Sequence, residues 1–134
     1  MKGNLLDTNV TLLALAEPGR LAKKIHNAIL SGANYISVVS YWEIILKNMK
    51  GNLRIGSPGT WWADTLDQLN ATPLLLRAEH ISEIQNLPPL HQDPFDRVLI
   101  AQAVIEKLIL ITADRDILRY GSQERRLAPY VSGP

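Results

Sequence analysis

Several acidic residues of this 134-residue chain stand just after its apolar runs or at the start of a helical one. Asp7 follows Asn4-Leu5-Leu6, and Glu43 falls in the first turn of the helix expected after Tyr35–Val39. Asp93 and Asp96 open the longest helical run, while Asp114 and Asp116 follow Leu108–Thr112, the most apolar strand pattern in the chain. Carboxylates crowded together repel, so they call for a neutralising partner. Hard cations such as Mg²⁺ or Mn²⁺ prefer oxygen ligands and bridge well to phosphate. Held by such acids, a pair of them activates a water and stabilises the leaving oxygen of a phosphodiester. With no cysteine, thiolate metal sites, cysteine nucleophiles and disulfides are excluded.

Each acid also has a plainer reading as a helix cap. Ser40-Tyr41-Trp42-Glu43 has the spacing of a capping box, in which Glu43 reaches back to a backbone amide. Asp93-Pro94-Phe95-Asp96 reads as an N-cap acid, a first-turn proline and an acid suited to the helix dipole. Asp114 fits an N-cap too. Asp7 differs, because no capping box is evident there and a carboxylate behind a buried strand needs a partner. His26 and His80, on or beside helices, are expected at the surface. His91 lies near Asp93 in a loop, where contact with a phosphate and an incidental placement are both open. Trp61-Trp62 reads as an aromatic face buried on the core or a partner, with base stacking as the alternative.

The elements that would position these acids alternate between strand and helix patterns. Strands are expected at Asn4–Leu6, Tyr35–Val39, Pro73–Leu76 and Leu108–Thr112, with an edge strand near Pro129–Val131. Helices are expected at Val10–Ala16, Arg20–Leu30, Ser40–Met49, Thr60–Leu69, Glu79–Gln85, Pro94–Lys107 and Ala113–Arg119. This alternation predicts a three-layer α/β/α fold with a central, mostly parallel sheet. In such sheets ligands bind outside the carboxyl ends of the strands. Acids from four distant segments are thereby brought to one rim. A chain of 14.9 kDa with 46% hydrophobic and 20% charged residues is expected to form one domain over residues 1–134. No apolar run approaches a membrane span, and the N-terminus lacks a signal-peptide layout, so a cytoplasmic location is expected. Fourteen basic residues against thirteen acidic leave a net charge of +1. Any nucleic acid must therefore be held by a local patch; Lys47, Lys50, Arg54, Arg115 and Arg119 are candidates.

Leu5-Leu6-Asp7-Thr8-Asn9, Ser37-Val38-Val39-Ser40-Tyr41-Trp42-Glu43-Ile44, His91-Gln92-Asp93-Pro94-Phe95-Asp96-Arg97 and Ile111-Thr112-Ala113-Asp114 together resemble the successive motifs of PIN-domain proteins. More narrowly, they resemble the VapC-like toxins of type II toxin–antitoxin systems. The resemblance runs through essentially the whole chain. It implies a Mg²⁺- or Mn²⁺-dependent endoribonuclease, a cognate antitoxin that occludes its site, and a homodimer. It also implies that Asp7, Glu43, Asp96 and Asp114 form a catalytic quartet. Asp7, Asp96 and Asp114 would hold metal, joined by Glu43 and Asp116 in some arrangements. Asn9 and Thr112 would brace them. Asn9 stands where many relatives carry histidine, and Ile117 where an aromatic residue is common. The alternative is a PIN-like RNA-binding or scaffold module that has lost its activity. Receiver-domain and haloacid-dehalogenase readings fit less well, because Leu76-Arg77 and Asn9 stand where those folds need acids.

Overall fold

The computed structural model describes residues 3–89, 93–123 and 131–133. Its elements run β1 (Gly3–Leu6), α1 (Thr8–Ala16), a 3₁₀ turn (Pro18–Arg20), α2 (Lys23–Ser31), β2 (Ala33–Ser37) and α3 (Val38–Met49). They continue as α4 (Pro58–Gln68), β3 (Ala71–Leu74), α5 (Ala78–Ile84), α6 (Pro94–Glu106), β4 (Ile109–Ile111), α7 (Arg115–Gln123) and β5 (Val131–Ser132). The strands lie in the order β3-β2-β1-β4-β5 and every neighbouring pair is parallel. The expected α/β/α architecture is the one observed.

The pleat of β1 explains the layering. Successive side chains on a strand point to opposite faces, and β1 is buried on both. Leu5 and Leu110 join a core with Val39, Leu99, Ile100 and Ile117, from α3, α6 and α7. Leu6 and Ile111 join a second core with Val10 and Ile25, from α1 and α2, against which Trp62 and Leu66 of α4 also pack. Each fully buried leucine contributes about 1.5–3 kcal/mol through the apolar surface it removes from water.

Several boundaries depart from the sequence expectation, and three of them have a clear local reason. The second strand stops at Ser37 because that hydroxyl accepts from the Val39 amide at 3.0 Å and caps α3. Val38 and Val39 are therefore helical despite their β-branched side chains. Helix α2 starts at Lys23, since Pro18-Gly19-Arg20 forms a separate 3₁₀ turn. Pro73 lies inside β3, which an edge strand tolerates because one side of its backbone needs no ladder partner. Of the expected edge strand, Val131 pairs with β4, whereas Pro129 and Tyr130 lie outside the described residues, as do His91 and Gln92.

Chain order makes β1 the switch point. From β1 the chain moves to β2 and β3 on one side, then returns to β4 on the other. The crevice at the carboxyl ends of β1 and β4 is where an open parallel sheet exposes backbone and helix starts to a ligand.

Candidate active site

Asp7 sits directly in that crevice, one residue beyond β1 and only 3% exposed. It caps α1: Oδ1 accepts from the Val10 amide at 2.7 Å. No capping box forms there, as the sequence suggested, but Asp7 does serve as a simple N-cap. Helix α1 starts at Thr8 rather than Val10, because the chain turns into a helix at once and offers its first amides to the nearest acceptor. Asp7 Oδ2 accepts from the Thr112 hydroxyl, just past β4. Each carboxylate oxygen has two acceptor sites, so both retain one for a further ligand. Burial pushes the Asp7 pKa up from 3.8 to about 6. The bonds from Thr112 and Val10 oppose the rise, and the negative charges of Asp114 and Glu43 add to it.

Those two acids are held by different devices. Glu43 makes no capping box, since α3 begins at Val38 and Ser40 is already helical. Instead Glu43 Oε1 lies 2.7 Å from Thr8 Oγ1, and Oε2 lies 3.6 Å from Lys47 Nζ. Ser40 Oγ is 3.0 Å from the same Thr8 hydroxyl. One hydroxyl carries one proton; the carboxylate takes it, and Ser40 donates back to Thr8. Asp114 does act as a cap. Its Oδ1 accepts from the amides of Asp116 at 2.7 Å and Ile117 at 3.2 Å, while its own amide donates to Thr112 Oγ1 at 2.9 Å. Thr112 thus ties Asp7 to Asp114.

The other expected residues divide. Asp93 caps α6, its Oδ1 accepting from Phe95 at 2.9 Å and Asp96 at 3.4 Å, with Pro94 in the first turn. Asp96 is half-buried in that turn, and because α6 leads into the parallel strand β4 its start lies on the carboxyl-end side of the sheet. Asp116 is exposed and pairs with Arg119 at 3.5 Å. Asn9 is exposed on α1 and makes no hydrogen bond to these acids among the described residues. Bracing falls to Thr112 and to Thr8, which sequence reasoning did not assign. Only the packing of α1 against α3 reveals it, since Thr8 and Glu43 are far apart in the chain.

The histidines separate as well. His26 is exposed on α2. His80, expected at the surface, is fully buried: its Nδ1 accepts from the Arg77 amide at 3.0 Å and Nε2 meets Glu106 at 2.7 Å. Those partners satisfy both ring nitrogens, which lets a polar ring lie inside. Trp61 and Trp62 are half-buried and stack on Tyr41, with centroids 6.3 and 4.6 Å away.

The donors at the rim are carboxylates and hydroxyls. Such a set fits a hard divalent cation and disfavours soft metals. Among the described residues no three acids or histidines stand together as a ready cage, because Asp114 is folded onto α7 and Glu43 is drawn to Thr8 and Lys47.

The sequence matches the PIN domain family over residues 5–122. The chain belongs to that family, which is one of nucleases. In structure it is similar to VapBC2 from Rickettsia felis bound to a DNA fragment from their promoter. The TM-score is 0.68 at 14% identity, over 97% of this chain and 97% of that one. It is also similar to a toxin–antitoxin complex from Klebsiella pneumoniae, with a TM-score of 0.55 at 18% identity, over 84% of this chain and 88% of that one. At these identities the likeness is one of fold. No curated protein matches the chain in sequence.

Proposed function

We propose that this chain is a VapC-like endoribonuclease toxin, a single nuclease domain that cleaves RNA with Mg²⁺ or Mn²⁺. The observation that carries this reading is Asp7. A carboxylate is buried at the switch point of a parallel sheet, within electrostatic reach of two others, and its pKa is raised to about 6. A purely structural cap gains nothing from neighbours that repel it. A cation site gains the charge it needs.

Asp7, Asp96 and Asp114 would hold the ion, with Glu43 at the edge of the set. When bound, a divalent cation supplies a water acidified for attack on phosphorus and charge to stabilise the leaving oxygen. The chain's own contribution is positioning. The Val10 amide and Thr112 hydroxyl fix the plane of the Asp7 carboxylate, and Thr8 fixes Glu43. Thr112 sets the distance between Asp7 and Asp114.

The structural neighbours are toxin–antitoxin assemblies, which supports a cognate antitoxin as the inhibitory partner; the homodimer is proposed from the resemblance of the sequence motifs alone. No helix among the described residues is long and apolar enough to cross a membrane; the site of action proposed with the toxin reading is the cytoplasm. The test is cleavage of a defined RNA by the purified chain with Mn²⁺, with Mg²⁺ and with chelator, beside Asp7→Asn and Asp96→Asn. Metal-dependent cutting lost in both variants is expected. The absence of ready-made ligand geometry among the described residues keeps the inactive RNA-binding module as the second reading. RNA binding without metal-dependent cleavage by the native chain would establish it.

A further inference from the structure

A nuclease site needs a path by which the strand reaches and leaves the acids. A cleft of about 390 Å³ lies between the second half of α3 and the start of α6, with Glu43 in its lining. It is therefore continuous with the rim, whereas the cavities along α1, α2 and α4 contain none of the four proposed catalytic acids.

The two sides of this cleft differ in chemistry. One carries Lys47, Lys50 and Asn52, and the other Pro94 and Phe95. Lys47 and Lys50 are three residues apart and share a helix face. Lys50 is exposed, and its ammonium forms no ion pair or hydrogen bond with any described residue. Lys47 meets Glu43 at 3.6 Å while 37% exposed, a pairing weak enough in water to yield to a phosphate. The Phe95 ring is held by the edge-on packing of Trp42, with centroids 4.9 Å apart. Asp93 also lines the cleft, but its carboxylate is directed onto the α6 amides, where the helix dipole offsets its charge. Ammonium groups facing a fixed aromatic ring match a single-stranded nucleotide, with its phosphate on one side and its base on the other.

We propose that the RNA strand leaves the acid rim through this α3–α6 cleft. Lys47 and Lys50 engage the phosphates beside the scissile one, and a base packs against Phe95. The inference rests on the nuclease reading for the identity of the strand, but its test needs no cleavage. Binding of a fluorescein-labelled single-stranded RNA dodecamer is followed by anisotropy in chelator across a salt series. Lys47→Ala/Lys50→Ala should weaken binding and reduce the slope of log K against log salt by about 1.4, or roughly 0.7 for each phosphate no longer neutralised. Phe95→Leu should weaken binding about five-fold or more with the slope unchanged. Lys23→Ala/Lys24→Ala, on the exposed start of α2, should change neither quantity. Equal losses in the two lysine pairs would show diffuse attraction only and overturn the proposal. So would an unaltered slope in Lys47→Ala/Lys50→Ala, or no binding by the native chain. Failure of the nuclease reading would instead appear in the separate cleavage assay with Mn²⁺.

Discussion

Replacing Asp7 by Asn tests the electrostatic argument at its centre. The folded chain holds the Asp7 proton up to about pH 6, whereas the ordinary value is 3.8. That gap corresponds to roughly 3 kcal/mol of stability withheld once the carboxylate is charged. The sign follows from proton binding. Between pH 3.8 and about 6 the folded state keeps a proton that the unfolded chain has released, so stability falls as pH rises through this window and levels off above it. Asn keeps the oxygen that accepts from Val10, but its amide cannot accept from Thr112, a loss of about 1 kcal/mol. In chelator at pH 7.5, Asp7→Asn should be about 1–2 kcal/mol more stable than the native chain. Near pH 4.5 the advantage should vanish or reverse, for a change of about 2 kcal/mol between the two conditions. Urea unfolding at both pH values, extrapolated linearly to water, measures it. Comparing the two proteins also removes Glu106, whose pKa is lowered by its bond to His80 and whose stability contribution runs the opposite way, being lost as pH falls. A stability difference independent of pH would refute the reasoning.

Other outcomes follow from the same structure. Millimolar Mn²⁺ should raise the melting temperature of the native chain more than that of Asp7→Asn, since binding only to the folded state stabilises it; equal shifts would argue against a site at Asp7. Asp96→Asn should abolish cleavage with the fold intact by circular dichroism. Arg97→Ala, which removes the bonds to the Pro88 and Ile84 carbonyls at 3.2 Å, should lower stability and retain some cleavage. Leu110→Ala should cost about 2–5 kcal/mol in urea unfolding because it opens a hole in the core beneath β4.

Much of this protein was legible in its residue order. The alternation of strand and helix patterns implied a parallel layered sheet, and the position of Asp7, Asp114 and Asp96 beside strand ends or helix starts implied one acidic rim. The caps at Asp93 and Asp114 were also readable, because a cap is satisfied within three residues. What lay beyond reach was every property that depends on a distant partner. Glu43 reads locally as a capping-box acid and is in fact bound by Thr8. His80 reads as a surface residue, yet Glu106 on another helix allows it to be buried. The raised pKa of Asp7 depends on how far the folded chain strips it of water and on which charges then stand nearby. Helix periods and caps are short-range and are written in neighbouring residues. Desolvation and long-range pairing exist only once α1, α3 and β4 have packed together, so the tertiary structure alone decides them.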